Sequence, residues 1–175
     1  MPSIGQRKDF EVENMKASAL FNGPVEIGMR SAMVLANAYP ERFDLNRLVI
    51  LDYFVVHSGD IPGGPESLHP PTPLRAGEVT VRRGLLENGL HLLAMKGLVA
   101  MHLDDSGISY SAESEITAFL DALSSIYAES VRDRAHWAVQ RLRGLTDREV
   151  SQLFEESIGR WRTEFVVEEL QEDVL

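Results

Sequence analysis

The stretch His57–Pro73 holds five prolines, three glycines, two histidines and two acids, and it splits a region whose flanks read as packed helices. A loop of this length inside a compact domain is uncommon unless it has a function of its own. Proline fixes φ and stiffens the path, so the composition predicts an ordered loop rather than a slack linker. Any fold for this chain must therefore seat a rigid loop between helical segments.

Those segments carry their own start and stop signals. Pro24 suits a first helical turn, with Asn22 as the cap, and Val25, Met29, Ala32, Met33 and Ala36 share one face. Tyr39-Pro40 ends that helix, because a residue before proline avoids the α region. Asp44 caps a second helix whose residues from Leu45 to Val56 are apolar almost all round, as expected of an element buried on most sides. A third helix is predicted over 78–96, closed by Gly97, and residues 98–111 read as a β-hairpin turning at Asp104-Asp105-Ser106-Gly107. Three helices followed by a hairpin is the order of a winged-helix domain, with the third helix in the recognition position. From Glu113 the apolar spacing turns helical again and runs through Ile116, Leu120, Leu123, Tyr127 and Val131. Thr146-Asp147-Arg148-Glu149 is a capping box that opens a last helix. The expected architecture is mainly α: a flexible arm over 1–20, a winged-helix-type domain over 21–112 with the loop at 57–75, and a C-terminal helical region over 113–175 ending in an acidic tail.

Charge narrows the functions available. The net charge is −10; residues 1–112 hold 13 acids against 10 bases, and residues 113–175 hold 14 against 7. Affinity for nucleic acid comes largely from Lys and Arg on phosphates, so a chain of this balance is a poor autonomous DNA binder. Without cysteine there are no disulfides or thiolate metal sites. No apolar run is long enough to span a bilayer, and the first residues lack the apolar core of a signal peptide, so a cytoplasmic protein with no membrane association is expected.

The candidate site residues gather around the loop. His57, Asp60, Glu66 and His69 are possible metal ligands within one short stretch, but their spacing matches no closed motif, and the expectation is that they tie down their own loop. Asp52 stands in an apolar helix and requires a donor, with Arg75, Arg82 and Arg83 as candidate partners. Arg82-Arg83 could meet phosphate, yet Glu78 and Glu87 lie four residues to either side and favour a self-paired, solvated helix face. Gly63, Gly64 and Pro65 shape the loop. No catalytic set, cofactor site or metal site is assigned, and the chain is expected not to be an enzyme.

Taken together, Phe21–Arg30, Leu48–Tyr53, His57–Asp60, Gly63–Pro70 and Val81–Arg83 resemble the middle component of bacterial ABC three-component systems, the group that includes the small subunit of Lamassu-type anti-phage defence. The resemblance covers roughly residues 20–140. It implies a non-enzymatic, winged-helix-type adaptor working with an SMC-like ABC ATPase and an effector such as a nuclease, and meeting DNA only within the complex. A winged-helix transcription regulator and a metal-dependent enzyme built on the loop histidines and acids are the two alternatives.

Overall fold

The computed structural model describes residues 23–70 and 75–172, with side chains described for 23–70 and 80–159. The arm over 1–20, the Asn22 cap, the loop's last residues, the Arg75 and Glu78 side chains and the acidic tail's side chains lie outside them. The chain is mainly helical. Its elements run α1 (Pro24–Ala38), β1 (Phe43–Asp44), α2 (Leu45–Val56), a 3-10 turn (Ser58–Asp60), α3 (Arg75–Met95), β2 (Val99–Asp104), β3 (Gly107–Ala112), α4 (Ile116–Asp121), α5 (Ile126–Leu142) and α6 (Asp147–Glu172). A small antiparallel sheet, ordered β1-β3-β2, sits beside the helices. Three helices leading into a two-stranded hairpin, with a short strand on the hairpin's far side, is compatible with a winged-helix arrangement.

Local signals set most of these boundaries. Pro24 opens α1, although the cap position is Gly23, which makes no side-chain cap bond. Asp44 caps α2, its carboxylate accepting from the Arg47 N–H at 2.7 Å. Gly97 takes φ +70°, a left-handed conformation open to glycine, and the Leu98 N–H returns to the Leu93 carbonyl at 3.0 Å to close α3. In the capping box Glu149 accepts from the Thr146 N–H at 2.7 Å, while Thr146 Oγ1 accepts from the Glu149 N–H at 3.3 Å.

Two features depart from the sequence reading. The apolar spacing from Ile116 to Val131 does not mark one helix. The chain breaks over 122–125, and Ser125 caps a fresh helix by accepting from the Ala128 N–H at 3.1 Å. Strand β1 is the second departure. It is two residues long and exists because Phe43 and Asp44 fall opposite Tyr110 and Ser109 of β3.

The core forms where α1, α2 and α3 meet, and α2 is its axis. From Leu48 to Val56 every residue of α2 is buried. α1 and α3 share the most extensive contact and cross at Gly28 and Gly89, where the two backbones touch. The C-terminal helices close the other side: Phe154 of α6 meets the Tyr53 and Phe54 rings edge-on at 5.2 and 5.9 Å. Arg47 fixes the α5–α6 junction, donating to the Leu142 and Leu145 carbonyls and to Asp147.

Candidate functional site

At the centre of the fold lies an ion cluster. Asp52, fully buried in α2, takes two hydrogen bonds from Arg30 of α1, Nε to Oδ1 at 2.7 Å and a terminal nitrogen to Oδ2 at 3.1 Å, and one from Arg82 of α3 at 2.7 Å. Both guanidiniums are themselves buried, Arg30 at 1% exposure and Arg82 at 2%. Burial alone would push the Asp52 carboxyl up. The Arg30 charge, then that of Arg82, and their hydrogen bonds outweigh it and hold the group below its usual range. One carboxylate thus joins the three helices of the core.

The cluster continues outward as a chain of polar contacts. Arg30 also donates to Glu26 at 3.2 Å, and Tyr127 of α5 donates its hydroxyl to the same Glu26 oxygen at 2.9 Å. His69, from the loop, meets the Tyr127 oxygen at 2.9 Å. Because that oxygen already gives its proton to Glu26, it accepts from His69, which fixes the neutral imidazole with its hydrogen on Nε2. Burial raises both the Glu26 carboxyl and the Tyr127 phenol above their usual values. His69 moves the other way, down to about 4, through burial first and then the positive charges of Arg30 and Arg82. Glu26, Arg30 and Tyr127 form the polar wall of a cavity of about 380 Å³, whose remaining walls are mainly apolar and include Met29, Met33 and Leu123.

The His69 shift has a consequence for stability. The unfolded chain takes up a proton at this position near pH 6.5, the folded one near 4, so the stabilisation is complete above the first value and lost as pH falls toward the second. Glu26 works in the opposite sense, so His69→Gln, which keeps an N–H for Tyr127, isolates the histidine. Between about pH 7 and about pH 4.5 the wild-type chain should lose roughly 1–2 kcal/mol more than this variant, a figure reduced for the partial exposure of His69. Urea titrations at both pH values read this difference; parallel losses would remove the account.

The loop is held by its own polar atoms. Val56 O accepts from both the Leu68 and His69 N–H groups at 3.0 Å, turning the chain back over the end of α2. Glu66 is exposed at its side chain, but its carbonyl accepts from Ser58 Oγ at 3.1 Å and from two nitrogens of Arg134 at 3.1 and 3.0 Å. Asp60 is buried and accepts from the Tyr53 hydroxyl at 2.6 Å. His57 is buried against the Tyr53 ring at 4.7 Å and lies edge-on to His69 at 6.2 Å. Gly63 takes φ +76°, and a Cβ on Gly64 would stand 2.1 Å from the Ser58 carbonyl oxygen, so both glycines are required by the turn. Pro65, between Gly64 and Glu66, is half-buried.

The loop residues His57, Asp60, Glu66 and His69 thus point to separate partners, and among the described residues no three His, Asp or Glu side chains are grouped as metal ligands. Arg82 is one of the cations expected for Asp52, and it is buried on that carboxylate; the reading of it as part of a solvated, self-paired face is corrected. Arg83 is exposed and donates to Asn46 at 2.9 Å. The Asp52 partner that sequence missed is Arg30. A signal existed, since Arg30 stands beside Ile27, Gly28 and Ser31 on the inward face of α1, where a cation demands a buried anion. Glu26, Tyr127 and Arg134 carried no such signal.

No helix among the described residues is long and apolar enough to cross a membrane. Neither the curated proteins nor the solved structures hold a match to this chain. One family model does match, and it covers residues 20–164, most of the chain and all of the ion cluster and loop. The chain belongs to the ABC-three component (ABC-3C) system Middle Component 2 family.

Proposed function

We propose that the protein is a non-catalytic adaptor in an ABC three-component system, linking an SMC-like ABC ATPase to an effector such as a nuclease in anti-phage or anti-plasmid immunity. One observation carries this reading: the groups best suited to chemistry are engaged inside the fold, while the third helix and the hairpin expose several large apolar side chains. Asp52 is bound by two arginines, Asp60 by Tyr53, and His69 by Tyr127. Outside, Val81 and Met95 of α3 and Met101, Leu103 and Ile108 of the hairpin are all exposed. Large apolar side chains exposed in this number on one part of the fold favour a protein partner.

The same surface gives little support to direct DNA binding. From Val99 to Ala112 there is no Lys or Arg, and the hairpin tip carries Asp104 and Asp105. A wing built for phosphate would carry the reverse charge. Family membership supports work within a multi-component assembly. Co-expression with the neighbouring genes, followed by purification through a tag on this chain, tests the reading. The expected result is recovery of an ABC ATPase and an effector in one complex; purification of the chain by itself would sink it.

A further inference from the structure

Three exposed apolar residues lie together on the hairpin. Met101 is 58% and Leu103 80% exposed on β2, with Ile108 at 48% on β3. Side chains alternate along a strand, so Met101 and Leu103 share a face, and the Leu103–Ile108 pairing places Ile108 beside them. Just before the strand, Met95 at the end of α3 is 66% exposed. Among the described residues β2 is hydrogen-bonded only to β3, which leaves its other backbone edge open.

Open edges are usually guarded by lysine, proline or a charge, and β2 has none of these before Asp104 at its last position. An unguarded edge with an apolar flank is a template for another strand. Charge selects which one. Lys96 stands where the chain enters β2, and Asp104 and Asp105 stand where it leaves, all exposed. A second β2 laid parallel would set like charges side by side. Laid antiparallel about Ala100 or Met101, it sets the acidic end of each copy, Asp104 and Asp105, at the end where the turn carrying Lys96 leads into the other's strand, twice over under a two-fold axis. In a chain of net charge −10, few surfaces attract their own copy in this way.

We propose that β2 pairs antiparallel with β2 of a second copy, joining two three-stranded sheets into one across a two-fold axis. The inference goes beyond the adaptor reading: it uses the same exposed hairpin residues, but its test reads only the purified chain. One added strand pairing with a few apolar side chains makes a small interface, for which association in about the micromolar region is expected.

Sedimentation of the full chain between about 1 and about 100 µM tests it. The expected result is a rise from 19.6 kDa toward twice that mass; a monomer throughout overturns the proposal. Leu103→Lys should weaken association at least about ten-fold without changing helix content or melting temperature, because the side chain is exposed. Lys96→Glu and Asp105→Lys should each weaken it about five-fold, and the double variant should restore it. A dimer indifferent to Leu103→Lys, or single losses that the double variant fails to repair, would assign the contact elsewhere. A chain that stays monomeric but gains the strand from a co-expressed ATPase would give the edge to that partner and likewise overturn the proposal.

Discussion

Asp52→Ala is expected to cost about 3–5 kcal/mol, the range for removing one member of a buried ion pair and leaving its partner's charge in the interior. Here the substitution strips the shared carboxylate from two buried guanidiniums at once. Against a typical domain stability of about 5–15 kcal/mol, that is a large fraction of the whole. Asp52→Asn keeps the shape and some acceptor capacity but not the charge, so it should fall between the two. The cluster also fixes an acid limit. Because the folded carboxyl is held below its usual range, its stabilisation is present above the unfolded value near 3.9 and lost only as pH falls through the lower folded value. The wild-type chain should therefore carry an acid-unfolding step that Asp52→Asn lacks. Replacing all three members together, Asp52→Leu with Arg30→Met and Arg82→Met, removes the desolvation cost with the charges and should be far milder than Asp52→Ala. Urea midpoints for the four chains decide the matter. A loss below about 1 kcal/mol for Asp52→Ala would mean that water or another group neutralises the arginines.

What sequence revealed and what it hid divide by range. Pro24, Asp44, Gly97 and the Thr146–Glu149 box act within a few residues, and the elements they bound follow the pattern read from them. The two-residue strand β1 has no local pattern of its own; it is defined by Tyr110 and Ser109, far along the chain. The break before α5 was written in Ser125, but apolar residues recurring at three and four on either side carried the helical reading across it. The same limit applies to the site. Asp52 could be seen to need a cation, because a carboxylate in an apolar helix must be paired. Which cation answers depends on the α1–α3 crossing, which no local pattern encodes. The loop's prolines predicted an ordered path, and over 57–70 the chain is tied down by hydrogen bonds. That the Glu66 carbonyl, and the Val56 carbonyl at the end of α2, would share this work with the Asp60 and His69 side chains was not legible.

The crossing itself gives the second large effect. Gly89→Ala is expected to destabilise the protein by about 2–3 kcal/mol, although alanine is the better helix former by up to about 1 kcal/mol. A Cβ on Gly89 would stand 2.4 Å from the Pro24 carbonyl oxygen and 2.8 Å from the Gly28 Cα, and both are backbone atoms that cannot rotate away. The helices must separate, and that separation reaches the ion cluster: Arg30 lies two residues beyond Gly28, and Arg82 lies two turns before Gly89, so widening the crossing lengthens the contacts that converge on Asp52. Gly28→Ala is the milder test of the same contact, since its Cβ would meet Gly89 at 3.1–3.2 Å, a distance that small shifts relieve. Gly84 supplies the control. It lies in the same helix α3, it is exposed, and a Cβ there meets nothing within 4 Å, so Gly84→Ala should stabilise by about 0.5–1 kcal/mol. Melting temperatures should then rank Gly84→Ala above the wild type, Gly28→Ala below it and Gly89→Ala lowest. If Gly89→Ala matched Gly84→Ala, the two helices would have to sit farther apart than their touching backbones require, and Arg30 and Arg82 would no longer be held on one carboxylate by that contact.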